Sequence, residues 1–337
     1  MGWKADGKMW IKKALAASGA LRIASRVKQP AAMVLMYHSV LDDPRECADS
    51  IGICNIHSTR TFRSQMEILA RNYNPVTIEH VRLFLTGEKE LPRRAVVITF
   101  DDGYADNAEV AAPILKRLGI PASFYATVAS VENAAAPWFC RARHAFFKTR
   151  QASWTDPNGS TWRLANEPER ESALQAASDY LTRFAGVAQQ RALDLIEREL
   201  DVEPLAAKKN LMFTWEQAKA LCRAGHIVGS HGLTHPNMAH VGDGDLDYEM
   251  TESKRRMEKA LGMEVPHFSY PAAALVTSWT ERTVAATERA GYHTAVTTTI
   301  GLVRASARPL ALHRFGAPDD LDEFRWTLQY AWLGFSG

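Results

Sequence analysis

Seven short apolar runs, rich in β-branched and aromatic residues, are separated along this chain by longer stretches whose apolar residues recur at helical spacing. A parallel strand can be reached only through a crossover, so this alternation points to a parallel sheet built from βα units. The runs are Met33 to Tyr37, Val96 to Phe100, Ala122 to Thr127, Ile227 to Ser230, His267 to Tyr270, Thr294 to Thr298 and Leu310 to Phe315. Seven such strands predict an α/β fold with a closed or nearly closed barrel. Helices are expected at Thr61 to Asn72, Asn107 to Leu118, Thr214 to Ala224, Asp245 to Leu261 and Ser278 to Ala290. Four of them stop at a glycine suited to a left-handed C-cap: Gly119, Gly225, Gly262 and Gly291.

The stretch from Ala136 to Asn210 breaks this rhythm. It contains "SWTDPNGSTW", which predicts a hairpin, followed by the charged helical runs "ERESALQAASDYLTRF" and "RALDLIEREL". We read it as a helical and hairpin insertion in one βα connection, placed to shape a substrate site. A formal net charge of +2 leaves no global nucleic-acid footprint, so nucleic acid is not an expected partner. Four cysteines without a C-x-x-C pair argue against a structural zinc site or a disulfide framework and fit a reducing compartment. No apolar stretch reaches eighteen residues and no apolar signal core opens the chain, so the expected location is cytoplasmic. Within residues 1–30, Trp3, Trp10, Ala14, Ala17, Leu21 and Ala24 recur at helical spacing among seven basic residues. That pattern suits either a basic amphipathic segment in weak peripheral contact with the inner membrane or a helix packed on the domain.

In a barrel of βα units the active site forms at the C-terminal ends of the strands. There the first run leads into His38, the second into Asp101 and Asp102, and the fourth into "SHGLTH", with His231 and His235. Tyr270 with Pro271 and His313 with Arg314 end two later runs. Histidines four apart on a helical turn would share one face and could hold one cation. One carboxylate would complete a two-histidine, one-carboxylate set with positions open for water and substrate. If Asp102 supplies it, the cation offsets the cost of two adjacent carboxylates, and Asp101 is free to act as a base.

The motifs "ITFDDGY" and "GHIVGSHGLTHPNM" resemble those of the polysaccharide deacetylases, the NodB-homology carbohydrate esterases. "LMYHSV", "FSYPAAA" and "ERAGYHTAVTT" are similar to the branch of exopolysaccharide N-deacetylases with an early YH motif, and the resemblance runs from about Ala31 to Gly316. It implies a distorted (β/α) barrel and a metal-dependent hydrolase that removes N-acetyl groups from the amino sugars of a polysaccharide or lipid-linked glycan. It also implies Asp101 as base, His38 as general acid, and Asp102, His231 and His235 as ligands of one divalent ion: zinc first, with iron, cobalt and nickel as alternatives. Tyr104, Tyr270, Pro271, Trp138 and Arg314 are the expected supporting and substrate-facing residues, with a backbone N–H near Tyr270 stabilising the oxyanion. Trp154, Trp162 and Trp279 are further candidates for a flat sugar-binding face.

Three departures stand out. Gly232 occupies a position where the family commonly has Thr or Ser, "YPAAA" replaces Y-P-x-G, and the third-motif arginine is missing. Arg314 is expected to pair with Asp101 in its place. The alternatives are hydrolysis of another amide, imide or formamide bond on the same centre, and a carbohydrate-binding relative without catalysis.

Overall fold

The computed structural model describes residues 30–205, 211–272 and 274–332. The N-terminal basic segment, apart from Pro30, and Ala273 of "YPAAA" lie outside the described residues. Six strands, β1 (Ala31–Tyr37), β2 (Ala95–Phe100), β3 (Ala122–Ala126), β4 (Ile227–Ser230), β5 (His267–Ser269) and β6 (Thr294–Val296), pair in parallel in the order β6-β5-β4-β3-β2-β1. In register, Leu35 lies opposite Ile98, and Ile98 opposite Ala122.

The seventh expected strand, Leu310 to Phe315, is present but splits its pairing between two edges of the sheet. Leu312 makes one isolated bridge to Val296, and only β7 (Phe315–Gly316) pairs with β1, beside Leu35 and Met36. Four backbone hydrogen bonds join it to the β6 edge, between Ala295 and Pro309, Leu312 and Ala295, Thr297 and Leu312, and Arg314 and Thr299, before it crosses to the β1 edge, so its pairing is divided between two neighbours. The crossing curls the sheet into a distorted (β/α) barrel.

Side-chain alternation divides the strands between two apolar clusters. Val34, Val97, Tyr125, Val296 and Leu312 meet in one, while Met33, Leu35, Val96, Ile98 and Phe124 join the larger cluster shared with the helices. Both faces are therefore buried, which explains why the strands read as unbroken apolar runs. Further along the Val97 side of the sheet come Thr99 and Asp101, where the apolar interior gives way to polar groups.

Around the sheet lie α1 (Thr59–Asn72), α2 (Ile78–Leu85), α3 (Ala112–Leu118), α4 (Val128–Asn133), α5 (Trp138–Lys148), α6 (Glu167–Leu181), α7 (Gly186–Glu199), α8 (Trp215–Arg223), α9 (Asp243–Leu261), α10 (Glu281–Arg289) and α11 (Leu321–Trp332). The helix expected at Asn107 to Leu118 is split into a π turn at Asn107–Ala111 and α3, which carries Pro113 in its first turn. Proline has no N–H to give to the preceding turn and is tolerated there. Gly119 and Gly262, at φ 66° and 72°, cap α3 and α9 in the left-handed conformation that the sequence signals.

The insertion follows α4 and precedes β4. Its strands Ser153–Thr155 and Thr161–Arg163 form the expected hairpin, and α5, α6 and α7 enclose a small core of their own around Trp138, Phe146, Trp154, Ala173 and Leu193. Trp138 Nε1 donates to the His235 carbonyl at 2.9 Å and Arg143 Nε to the Ala48 carbonyl at 2.7 Å, which ties this unit to the barrel mouth. No helix among the described residues is long and apolar enough to cross a membrane.

Candidate active site

Asp101 continues the β2 pairing, its N–H donating to the Tyr37 carbonyl at 3.0 Å. Its carboxylate meets Arg314, which is buried at 1% exposure. Arg314 Nη1 and Nη2 donate to the two Asp101 oxygens at 2.9 and 2.7 Å. The other Arg314 donors go to the Thr297 carbonyl, Thr99 Oγ1 and Ser269 Oγ, so all five N–H groups of the guanidinium are used. Ser269 Oγ in turn donates to Asp101 Oδ1 at 3.1 Å. Burial pushes the Asp101 carboxyl up, but the Arg314 charge, then His231 and the Arg314 hydrogen bonds, outweigh it and hold Asp101 well below the usual carboxylate range.

Asp102 leaves the strand with φ 74°, a left-handed conformation that costs a non-glycine residue of order 1 kcal/mol. Gly103 follows at φ 89°, where an added Cβ would stand 3.1 Å from the Ala126 backbone. The extended Asp101 and left-handed Asp102 thus carry both carboxylates into one mouth, which is why two aspartates stand side by side. Asp102 Oδ1 lies 3.5 Å from His231 Nε2 and 3.4 Å from His235 Nε2.

The two histidines are not brought together by a helical turn. They sit on a loop in which Gly232 and His235 adopt φ 79° and 62°, and their rings pack edge to face with centroids 4.8 Å apart. Glycine is favoured at 232. A Cβ would meet Met238 Cε at 2.7 Å in a left-handed backbone conformation that costs Thr or Ser of order 1 kcal/mol or more. Buried Glu249 of α9 holds the loop by accepting the N–H groups of Leu233 and Thr234 at 2.8 and 2.9 Å. His231 Nδ1 lies 2.8 Å from the Ser269 carbonyl, to which it can only donate, leaving the Nε2 lone pair facing Asp102. Burial pushes His231 down to about 4, so the ring is neutral and free to ligate.

Asp102, His231 and His235 are the one group of three among the described residues whose donor atoms converge within 4.8 Å. Donors 2.0–2.2 Å from a tetrahedral zinc stand roughly 3.3–3.6 Å apart. The 3.5 and 3.4 Å separations of Asp102 from the two histidines match that edge, and a mixed imidazole and carboxylate donor set suits a borderline divalent cation. These residues therefore fit a metal.

The cleft above them holds about 440 Å³ and is lined by His38, Asp101, Asp102, Trp138, His231 and His235. Phe139, Arg143, Glu171, Leu174, Gln175 and Ser178 of the insertion form one wall. His38 is held through its backbone: Asn107 Nδ2 donates to its carbonyl at 2.7 Å, and Asp106 accepts Ser39 Oγ at 2.6 Å and the Val40 N–H at 2.9 Å. Burial raises Asp106 to about 6.

Several expected site residues stand elsewhere. Tyr270 is a correction: its hydroxyl bonds Thr287 Oγ1 and the Leu310 carbonyl, and its N–H donates to Val296 O, so neither group faces the cleft. Ser269 before it takes the site side, and strand alternation sends Tyr270 toward α10. Pro271 is buried near the loop at Gly232 and supports the site from behind instead of lining it; Ala272, Ala274 and Thr298 are the wall there. Tyr104 is likewise buried, with its hydroxyl 3.6 Å from Cys140 Sγ, so it supports Asp102 from below. Trp154 belongs to the insertion core, Trp279 Nε1 bonds Thr299, and the His313 ring packs against Gly301. Ser269, Thr99, Glu249, Asp106 and Asn107 are the supporting residues that motif reading missed. Only the polar tail of "YADN" and the small residue ahead of "YP" hinted at any of them.

The sequence profile of the polysaccharide deacetylase family matches residues 88–295. YxkH of Bacillus subtilis (strain 168) is 23% identical over 291 residues, covering 86% of this chain and 72% of that protein. The poly-beta-1,6-N-acetyl-D-glucosamine N-deacetylase of Escherichia coli (strain K12) is 39% identical over 93 residues, 27% of this chain and 13% of that protein. A Streptococcus pyogenes deacetylase, PplD, solved in complex with acetate, shares the fold with a TM-score of 0.58 at 19% identity, covering 88% of this chain and 97% of that one. His38 and Arg314 fall outside the matched stretch, whereas both aspartates and both histidines lie inside it. Because the profile covers more than half of its length, this chain belongs to the polysaccharide deacetylase family.

Proposed function

We propose that this protein removes N-acetyl groups from the amino sugars of a polysaccharide or lipid-linked glycan, using one divalent cation, zinc in preference to iron, cobalt or nickel. Asp102, His231 and His235 would hold the ion. The observation that carries the reading is the Arg314-bound, ionised Asp101 directly beside that donor set, an arrangement that sugar binding alone would not need. The name of the E. coli relative favours a poly-N-acetylglucosamine substrate, on the strength of the 93 matched residues.

A cation there would supply Lewis-acid polarisation of the acetamide carbonyl and acidify a water. The chain's own residues do the rest. Asp101 Oδ1 already accepts from Arg314 and Ser269, whereas Oδ2 accepts only from Arg314 among the described residues. Oδ2 therefore keeps a lone pair for the proton of the attacking water. His38 gives a proton to the leaving amine as the C–N bond breaks, which releases acetate and the free amino sugar. The Arg314 clamp prevents Asp101 from turning away, and the Ser269 carbonyl keeps His231 in the ligating tautomer.

The test is acetate release from a panel of N-acetylated, formylated and imide substrates, with metal analysis of the same preparation. Release from N-acetyl glycans together with about one zinc per chain is expected, and hydrolysis confined to the other substrates would replace this reading. His38→Ala should lower kcat on an N-acetyl glycan by about 10²–10³-fold, within the range for a lost general acid. It should leave hydrolysis of 4-nitrophenyl acetate within a few-fold, because that leaving group departs without a proton. Equal losses on both substrates would make His38 a positioning residue.

A further inference from the structure

A second groove of about 620 Å³ lies on the far side of α6 from the catalytic cleft. Glu171, Leu174, Gln175 and Ser178 turn toward the cleft; Ser172, Ala176 and Asp179 line the outer groove, as do Glu171 and Gln175 again. Helix α6 is thus a ridge with a depression on either side, and Glu171 and Gln175 sit on its crest. The outer wall is the hairpin of the insertion, which contributes Asp156, Asn158 and Trp162.

Trp162 is half-buried. It pairs across the hairpin with Trp154, which is 3% exposed in the insertion core, and its Nε1 donates to Asp156 Oδ2 at 3.0 Å. Asp156 in turn accepts the N–H groups of Asn158 and Ser160, so the turn that carries the wall is itself tied down. The indole is held in place with part of its surface open to the groove. Facing it across the depression, Gln175, Asp179 and Arg183 offer hydrogen-bond donors and acceptors, with Gln175 Nε2 bonded to Asp179 at 2.8 Å.

From this arrangement we infer that the outer groove is a second saccharide subsite. It receives a sugar of the same glycan chain whose N-acetylated unit occupies the catalytic cleft. The inference rests on the deacetylase reading and deepens it, since it makes the preferred substrate an oligosaccharide or polymer. A pyranose has an apolar face of axial C–H groups and a rim of hydroxyls. An indole opposite a polar helix face matches both, and ligand grooves of about 300–1,000 Å³ are of the right size. The shared lining of Glu171 and Gln175 favours the rest of the glycan as the occupant, because a chain that leaves the cleft over α6 reaches this groove.

The test compares N-acetylglucosamine oligomers of one to six units with 4-nitrophenyl acetate on the wild-type protein and three variants. Wild-type kcat/KM should rise at least tenfold between the monomer and the tetramer. Trp162→Ala should remove most of that rise through KM while leaving the monomer and the ester unchanged, and Trp162→Phe should retain most of it. Ser172→Tyr, an exposed change in the lining that fills the groove while leaving Trp162 and its hairpin intact, should act like Trp162→Ala even if that variant folds poorly. Length-independent wild-type rates, or variants that slow every substrate alike, would overturn the subsite alone. Absence of acetate release from every glycan would remove the deacetylase reading, and the subsite with it.

Discussion

On the proposed division of roles, Asp101→Asn should keep the divalent ion and lose turnover by about 10²–10⁴-fold, the range expected when a general base is removed. Asp102→Asn should do the reverse in order of cause, losing the metal first and activity as a consequence. His231→Ala and His235→Ala should behave like Asp102→Asn. The difference follows from where the two carboxylates point. Asp102 Oδ1 is 3.5 and 3.4 Å from the two imidazole nitrogens, whereas both Asp101 oxygens are engaged by Arg314. Amide nitrogen in place of one Asp101 oxygen also puts a donor against the guanidinium, so this variant should unfold at lower temperature as well. Activity must therefore be read at a temperature where the variant is shown to be folded. Metal content measured beside kcat decides the matter: equal zinc loss from the two asparagine variants would show that the roles are divided wrongly.

What the sequence disclosed followed from local periodicity. The parallel strands announced themselves because burial on both faces makes each a continuous apolar run, and the C-cap glycines marked where α3, α8, α9 and α10 end. Helices α2 and α4 went unread because 8 and 6 residues hold too few turns to establish a period. The histidine pair was found for an incorrect reason. Spacing of four suggested a helical face, yet the loop achieves convergence with left-handed residues at Gly232 and His235, for which composition gives only the glycine as a sign.

The missing hydroxyl at Gly232 then looks different. Its φ of 79° and the close approach of Met238 disfavour a side chain, and buried Glu249, in the N-terminal half of α9, anchors the loop. Contacts of that kind depend on how α9 packs against the barrel, and no local pattern encodes them. Tyr270 was misassigned by one position, and in a strand one position exchanges the two faces. The Arg314 partnership was legible because the arginine expected from the family's third motif is missing and Arg314 ends the last apolar run. Its hydrogen bonds to Thr99 and Ser269 were not, since they require β2 and β5 to face each other across the curled sheet.

Arg314→Met should destabilise the protein by about 3–5 kcal/mol, the cost of leaving one member of a buried ion pair without its partner. Asp101 is 2% exposed, and its remaining bond from Ser269 cannot replace two charge-assisted bonds from a guanidinium. In the wild type the carboxyl is held below its ordinary value, so its contribution to stability is fully present above the normal carboxylate range and is lost only as the pH falls into strong acid. Removing Arg314 leaves burial opposed only by weaker partners, and the cost of keeping Asp101 ionised falls on the fold. Arg314→Lys should recover little, because an ammonium cannot reach Thr297 O, Thr99, Ser269 and both carboxylate oxygens from one plane. The decisive measurement is a double-mutant cycle by urea unfolding. Asp101→Asn combined with Arg314→Met should destabilise by clearly less than the sum of the single changes, because each single variant strands a polar partner that the double variant no longer contains. Additive effects would mean that the pair contributes through packing alone and that Arg314 is not what keeps Asp101 ionised and aimed.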